Sequence, residues 1–282
     1  MRLQTILVPL DGRVHALAAL PVAGALAGTL GATLHVLHVG EDSFPPQDML
    51  RELGITPGNV RGPVLDQTTG RPAEEILRFA TERPGPLIVM CTHTGIDKPV
   101  GALGSVAEAV LRHAPCPIIL VQPERGLLPW ALRRILLPHD GTPTTAAAMD
   151  PAGELAHRTG ADILVLHVAV PNAERPSEPG TLTTPCYLDQ PQHEWPAWAS
   201  EFLDRMTALG HSPAEVKFRL SMAVGEPGQE IVRFALQHEI DLVALAWRGQ
   251  WEAEVAPTMK KVIRDCASPV FICRIEPRSP DH

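Results

Sequence analysis

Short, largely apolar runs alternate with longer segments of helical spacing in the first part of the chain. Residues 6–10, 34–39 and 87–91 are such runs, and their length is typical of strands buried on both faces of a sheet. Residues 73–80, which follow a proline, and residues 105–113 place their apolar side chains on one helical face. This alternation predicts an α/β fold with a doubly wound parallel sheet and right-handed crossovers.

The same order of blocks occurs twice in the sequence. Three blocks return in the second half: 5–12 at 134–141, 26–39 at 155–168, and 70–80 at 225–235. The offset is 129 residues for the first two blocks and 155 for the third, so the second copy holds about 26 additional residues. We predict two tandem domains, residues 1–124 and 131–282, joined by a linker at 125–130. The additional residues are expected in an exposed, proline-rich excursion at about 170–196.

The composition favours a globular protein that does not bind nucleic acid. The chain has 282 residues, 45% of them hydrophobic and 20% charged, which is enough for two ordinary cores. Its net charge of -8 repels a phosphate backbone, and an aromatic content of 4% leaves little for base stacking. The five cysteines are widely spaced and include no C-x-x-C pair, so we expect free thiols in a reducing cytoplasm.

One long uncharged stretch, residues 14–40, raises the question of a membrane span. It contains Pro21, three histidines and two threonines, whereas a span needs about 20 predominantly apolar residues. We interpret it as a buried helix followed by a buried strand. The apolar run at the N-terminus is cut by Asp11 and is too short for a secretory signal. We therefore expect a cytoplasmic protein with no membrane partner.

Three segments carry a resemblance to a known family: TILVPLDG at 5–12, LHV at 37–39, and LGSVAEAVLRHAPCPIILV at 103–121. They resemble the universal stress protein family, whose members act in stress responses, and the likeness covers both halves of the chain. The resemblance implies two tandem domains of the adenine nucleotide α-hydrolase-like type, each α/β with a five-stranded parallel sheet. It also implies that they pack about a pseudo-two-fold axis, as an intramolecular counterpart of the family's homodimers. A further homodimer of the whole chain stays open.

Some members of this family bind ATP through a G-x2-G-x9-G-(S/T) loop, and others bind no nucleotide. On this sequence the three glycine positions fall at Cys91, Thr94 and Gly104, so only Gly104 and the following Ser105 match. A glycine that opens a helix lets the backbone approach a phosphate, and the helix N-terminus favours an anion. Side chains at Cys91 and Thr94 narrow the space for a triphosphate, although the Thr94 hydroxyl can donate a hydrogen bond.

The resemblance implies that Asp11 binds the ribose and that Val39 packs on the adenine. The candidate site for ATP or another adenine nucleotide therefore lies after three strands and at the start of the last helix of the first half. Its residues are Pro9, Leu10, Asp11, Val39, Met90, Cys91, His93, Thr94, Gly104, Ser105 and Val106. The sequence requires no metal at this site.

Some of these residues also have a purely structural interpretation. Asp11 in an Asp-Gly pair can be a turn residue or a helix N-cap. Ser105, with Glu108 three residues on, forms a capping-box pattern that needs no ligand. His93 is expected to be a solvated loop histidine.

Other histidines and cysteines offer little chemistry. His38 and His167 occupy equivalent positions, so repetition of the fold accounts for both. Cys186 and His193 lie in the excursion, where two potential metal ligands without a partner pair do not define a metal site.

The second copy departs further from the nucleotide loop. Ala246 stands in the first glycine position, and Ala256-Pro257 replaces the final Gly-Ser pair. Between them lie one basic residue, Arg248, and several bulky or acidic ones: Trp247, Trp251, Glu252 and Glu254. We therefore expect at most one nucleotide per chain, bound in the first half.

The sequence contains no motif for efficient catalysis. The patterns G-x-x-x-x-G-K-(S/T), G-x-S-x-G and H-E-x-x-H are all absent. At most, we expect slow ATP hydrolysis incidental to binding. The alternative is an interaction or signalling protein that keeps the fold, binds no nucleotide, and uses its surface and the excursion at 170–200.

Overall fold

A computed structural model describes residues 2–41, 44–56, 58, 60, 62–93, 103–170, 181, 203–204, 216–247 and 257–274. Its strands are β1 (Thr5–Leu10), β2 (Thr33–Val39), β3 (Val64–Thr68), β4 (Pro86–Cys91), β5 (Ile118–Val121), β6 (Arg134–Pro138), β7 (Asp162–Ala169), β8 (Phe218–Val224), β9 (Leu242–Trp247) and β10 (Val270–Arg274). The predicted excursion at 170–196 lies almost entirely outside the described residues, so that prediction stays open.

The helices are α1 (Ala19–Leu30), α2 (Pro46–Glu52), α3 (Pro72–Thr81), α4 (Ser105–His113), α5 (Pro143–Ala146), α6 (Met149–Thr159), α7 (Pro227–Gln237) and α8 (Pro257–Asp265). Short 3-10 helices span Val14–Ala18 and Pro123–Arg125. The helices predicted at 73–80 and 105–113 are confirmed as α3 and α4. Among the described residues, no helix is both long enough and apolar enough to cross a membrane.

The ten strands found in the described ranges lie in one sheet, in the order β3-β2-β1-β4-β5-β10-β9-β6-β7-β8. Every neighbouring pair is parallel except β5 and β10, which run antiparallel. The second five strands therefore repeat the order of the first five about a pseudo-two-fold axis. The predicted parallel α/β fold is confirmed, and its two five-stranded sheets are joined edge to edge.

The equivalent helices α1 and α6 end in the same way. Gly31 and Gly160 follow them with φ of +61° and +73°, and each donates its backbone N–H to a carbonyl in the last turn. This left-handed conformation costs little for glycine and satisfies a carbonyl that would otherwise lack a partner. The repeated Gly-Ala pair after each helix thus has a structural cause.

The junction between the halves is held by paired strands and by reciprocal caps. Phe271 of β10 lies opposite Ile119 of β5, and both are fully buried.

The Gln122 side chain donates to the carbonyls of Ile263 and Arg264 at the end of α8. In return, Arg274 donates to the carbonyls of Arg112 and Ala114 at the end of α4, at 3.2 and 3.1 Å.

Positions 122 and 274 are equivalent in the two halves: Gln122 directly follows β5, and Arg274 is the last residue of β10. Apolar clusters on both faces of the sheet contain residues of both halves. The expected shared interface is therefore present. Within each half, the order in which successive strands are added to the sheet reverses between β1 and β4, or between β6 and β9. At such a point a crevice opens at the carboxyl ends of the strands.

Candidate functional site

A cavity of about 330 Å³ opens at the carboxyl ends of β1, β2 and β4, beside the start of α4. The structure brings together there all the predicted site residues except Thr94, which lies outside the described part of the chain. The walls also include residues that sequence reasoning missed: Arg13, Ala16, Leu37, Pro72, Ile76, Thr92 and Ala107. Pro72 and Ile76 belong to the repeated block at 70–80, and its recurrence was the available signal.

Asp11 forms a turn at the mouth of this first cavity. Its Oδ1 accepts the backbone N–H of Arg13 at 3.1 Å, and Arg13 Nε lies 3.7 Å from Oδ2. The structural interpretation of Asp11 as a turn residue is therefore confirmed. Both side chains remain exposed, so the turn leaves the carboxylate accessible.

The start of α4 differs from the expected capping box. Gly104, not Ser105, is the N-cap residue, and the cap has no side-chain hydrogen bond. The expectation that Ser105 and Glu108 cap this helix is wrong, because the Glu108 carboxylate instead binds Arg112 at 2.7 Å. The Gly104 N–H donates to the Thr92 carbonyl at 2.7 Å. A Cβ at Gly104 would lie 3.3 Å from that oxygen, so the close approach of the two backbones favours glycine.

His93 is buried, with 6% of its surface exposed, and the expectation of a solvated loop histidine is wrong. Its Nδ1 lies 3.2 Å from the Thr92 hydroxyl, which donates to Gln122 Oε1 at 3.1 Å. Gln122 is the residue that caps α8 across the junction. The end of β4 is thus tied by hydrogen bonds to the interface between the halves.

Cys91 occupies the first glycine position of the nucleotide loop. Its Sγ donates to the His15 carbonyl at 3.1 Å, which holds the side chain against the 3-10 helix. Burial raises the pKa of the Cys91 thiol to about 12, so the group is neutral near neutral pH. It contributes an apolar wall to the cavity and no reactive thiolate.

His38 and His167 have the same structural role in the two halves. His38 Nδ1 binds the Leu10 carbonyl at 3.0 Å, and His167 Nδ1 binds the His139 carbonyl at 2.9 Å. Both imidazoles are buried and satisfy the backbone at the end of the adjacent strand. The expectation that fold repetition explains this pair is confirmed.

A second cavity, of about 420 Å³, occupies the equivalent place in the second half. It is lined by Pro138, His139, Asp140, Thr145, Leu166, Val168, Pro227, Ile231, Leu245, Ala246, Trp247, Thr258 and Met259. Leu10, Arg13 and Thr92, which line the first cavity, correspond to His139, Thr142 and Trp247 in the second half. His139 and Trp247 line the second cavity, and Thr142 lies in the turn of Asp140 beside it. The two cavities therefore share a backbone frame and differ in the chemistry of their walls.

His139 is a neutral residue in the wall of the second cavity. Only 3% of its surface is exposed, and its Nδ1 accepts the Gly141 N–H at 2.9 Å. Burial lowers the pKa of this imidazole to about 4, with the neighbouring His167 acting in the same direction and Asp140 opposing it. Burial also lowers the pKa of His167.

Asp140 is fixed by its own turn. Its Oδ1 accepts the N–H of Thr142 at 2.9 Å and the hydroxyls of Thr142 and Thr145 at 2.6 and 2.7 Å. Burial alone would raise the pKa of this carboxyl, but the hydrogen bonds outweigh it and hold the pKa below its usual range. Asp140 is therefore an anion near neutral pH. Within the described ranges, no group of three or more metal-ligating side chains occurs, and Cys186 and His193 lie outside them.

Two parallel five-stranded α/β units, each with a cavity at the carboxyl ends of its strands, define a tandem, doubly wound α/β architecture. The sequence model of the universal stress protein family matches residues 2–54, 51–122 and 131–274. The chain belongs to the universal stress protein family, and the family match recurs along it.

Relatives and solved structures agree with this assignment. A universal stress protein of Thermus aquaticus is 36% identical over 139 residues, which are 42% of this chain and 98% of that protein. One from Mycobacterium tuberculosis H37Rv is 23% identical over 67% of this chain and 61% of its own length. The crystal structure of a universal stress protein from Archaeoglobus fulgidus superposes with a TM-score of 0.59 at 17% identity, covering 98% of this chain and 97% of that one. At this identity the superposition establishes the fold alone.

Proposed function

We propose that this protein is a stress-response protein that binds one adenine nucleotide per chain, in the first cavity. The observation that carries the proposal is the gathering of the residues implied by the family resemblance around one opening. Its volume of about 330 Å³ falls at the lower end of the range of roughly 300 to 1,000 Å³ found for ligand cavities. The size suits a nucleotide whose phosphates extend towards the mouth.

The walls offer complementary chemistry for the parts of a nucleotide. Leu37, Val39 and Met90 provide apolar surface for the flat face of the adenine. The exposed Asp11 carboxylate can accept a ribose hydroxyl while its Oδ1 keeps the turn. A charged hydrogen bond of this kind contributes about 1.5 to 3 kcal/mol.

The first turn of α4 suits a phosphate. The first N–H groups of an α-helix have no partner inside the helix, and the helix dipole favours an anion there. Ser105 is the first residue of α4 and caps nothing, so its hydroxyl is available to a ligand. Arg13 supplies a cation at the mouth.

The first test is direct. The purified protein is denatured, and the supernatant is analysed for released adenine nucleotide by mass spectrometry. Titration calorimetry with ATP on nucleotide-free protein is then expected to give one site per chain. Two equivalent sites per chain would contradict the assignment to the first cavity.

A matched pair of variants assigns the site. Val106 and Thr258 are equivalent residues that line the first and second cavities. Val106→Trp fills the first cavity and is expected to weaken ATP binding at least about tenfold, the effect of roughly 1.4 kcal/mol. Thr258→Trp makes the same change in the second cavity and is expected to leave ATP binding intact. Equal losses in both variants would point to a general effect on folding.

The second candidate is an interaction protein that retains the fold and binds no nucleotide. Cys91 favours it, because this side chain stands where the ATP-binding loop has glycine and is held by the His15 carbonyl. The same experiments decide between the two. Absence of released nucleotide, together with no heat of ATP binding, would support this second candidate.

A further inference from the structure

The two cavities differ most in charge, at the turn that follows β1 or β6. In the first half, Arg13 lies against the carboxylate of Asp11. In the second half, the residue equivalent to Arg13 is Thr142, a hydrogen-bond donor without charge. Asp140 therefore keeps its full negative charge at a position where Asp11 is partly neutralised.

The carboxylate of Asp140 is held with one oxygen engaged. All three of its hydrogen bonds, from Thr142 and Thr145, reach Oδ1. Its Oδ2 accepts no hydrogen bond from any residue that the structure describes. Because the turn already fixes the Asp140 side chain, binding of a ligand to this second oxygen costs little additional side-chain conformational entropy.

The cavity beside Asp140 suits a positive ligand with an apolar body. No lysine or arginine is present among the described residues of its lining. Helix α8 carries three basic residues that are not part of this lining, Lys260, Lys261 and Arg264. Lys261 and Arg264 are paired with Asp265, at 3.0 and 2.6 Å. The walls are largely apolar and include Trp247, whose indole ring attracts cations, and Met259.

The same surroundings disfavour an anion. A phosphate would meet the unneutralised Asp140 carboxylate, and Pro257, the first residue of α8, has no N–H to offer to it. Residues 248–256 lie outside the described ranges, and their sequence carries one arginine and two glutamates. The second half thus lacks the groups that make the first cavity suitable for a nucleotide.

We propose that the second cavity binds a small organic ammonium ion, with its cationic head at Asp140 and its apolar body against the Trp247 and Met259 walls. This site goes beyond the nucleotide site and does not depend on it. The two proposals concern different cavities and opposite ligand charges, so either can fail alone.

Three probes of similar shape and different charge test this proposal: 2-phenylethylammonium, 2-phenylethanol and 3-phenylpropionate. Their dissociation constants for the full chain are measured by equilibrium dialysis at neutral pH and low salt. The ammonium ion is expected to bind about ten- to a hundredfold more tightly than the alcohol, the effect of one charged hydrogen bond. The carboxylate is expected to bind most weakly.

Variants locate the preference. Asp140→Asn keeps an oxygen acceptor for the turn and removes the charge, so the ammonium ion and the alcohol should bind equally. The control is Asp162→Asn, a neutralised carboxylate at the start of β7, at the opposite end of that strand from the cavity, which should keep the wild-type preference.

Several results would overturn the proposal. Equal binding of the ammonium ion and the alcohol to the wild-type protein would do so without any variant. An unchanged preference in a folded Asp140→Asn protein would place the cation elsewhere. Competition between ATP and the ammonium probe would place both ligands in one cavity and would contradict the assignment of the ammonium ion to a site separate from the nucleotide site.

Discussion

The two cavities at the strand ends are built on the same backbone and differ in a few side chains. At three equivalent positions the first half has Leu10, Arg13 and Thr92, and the second has His139, Thr142 and Trp247. These changes remove a cation and add a neutral imidazole and an indole. Ligand chemistry can therefore change within a fold that the repeat preserves, because fold and site are specified by different residues.

Several residues that recur in the blocks 70–80 and 225–235 stabilise the fold through local contacts. Glu75 and Arg78 form an ion pair on α3, and Glu230 and Arg233 form the equivalent pair on α7. The glycines before these helices, at 70 and 225, have φ of +132° and +149°, and a Cβ on either would lie 3.1 Å from the Cγ of the same glutamate. The recurrence of the blocks 70–80 and 225–235 therefore reflects local packing as well as shared cavity walls, and it does not by itself indicate two identical ligand sites.

The largest effect is expected where the halves meet. Phe271→Ala should lower the free energy of unfolding by about 3 to 5 kcal/mol, because a fully buried phenylalanine leaves a cavity when it is truncated. Its partner across the junction is Ile119, and Ile119→Ala should cost about 2 to 5 kcal/mol. Chemical denaturation measures both values.

The shared sheet predicts that both halves respond together. Wild type and both variants should unfold in a single transition seen by fluorescence and circular dichroism, since the apolar clusters contain residues of both halves. Leu236→Ala is the control, because this side chain is 77% exposed and its truncation should change stability by less than about 0.5 kcal/mol. Two separate transitions would show that the halves are independent units.

The next largest effect is expected at His139, where the first half has Leu10. The pKa of His139 is lowered from 6.5 to about 4 in the folded protein, so between these values the unfolded chain binds more protons. The contribution of neutral His139 to the free energy of unfolding is therefore fully present above pH 6.5 and is lost as the pH falls towards 4. A shift of this size corresponds to at most about 3 kcal/mol.

The variant His139→Leu installs the first-half residue and should flatten this dependence. Unfolding free energies at pH 7.5 and pH 4.5 measure the difference between the variant and wild type. A smaller slope is expected to remain, since the pKa of His167 is also lowered by burial. An unchanged slope in the variant would show that His139 is not the group responsible.

The sequence predicts the parts of this molecule that depend on local pattern. Strand runs, α3, α4 and the pseudo-symmetric order all follow from periodicity and repetition. The positions of His93 and Ser105 do not, because they depend on contacts between distant segments. His93 is buried by a hydrogen-bond chain through Thr92 to Gln122, and Gly104 becomes the N-cap because its backbone passes close to Thr92. No local sequence pattern encodes these contacts between segments that are far apart in the chain.

The smallest effect concerns the connection from helix to strand before each fourth strand. Between α3 and β4, Gly85 adopts a left-handed conformation with φ of +51°. Between α7 and β9, the left-handed residue is Glu239, with φ of +50°. Among the described residues, it is the one residue other than glycine that has a positive φ. Its side chain makes an exposed contact of 3.6 Å with Arg134, which contributes little.

Two substitutions at Glu239 separate the backbone from the side chain. Glu239→Ala removes the contact with Arg134 and keeps a Cβ, whereas Glu239→Gly removes both. The glycine variant should therefore be more stable than the alanine variant by about 1 kcal/mol, because glycine adopts the left-handed region without steric cost. Thermal or urea unfolding of the two proteins measures the difference. If the alanine variant proves as stable as the glycine variant, the second half tolerates this turn at no cost, and the two connections are equivalent despite their different residues.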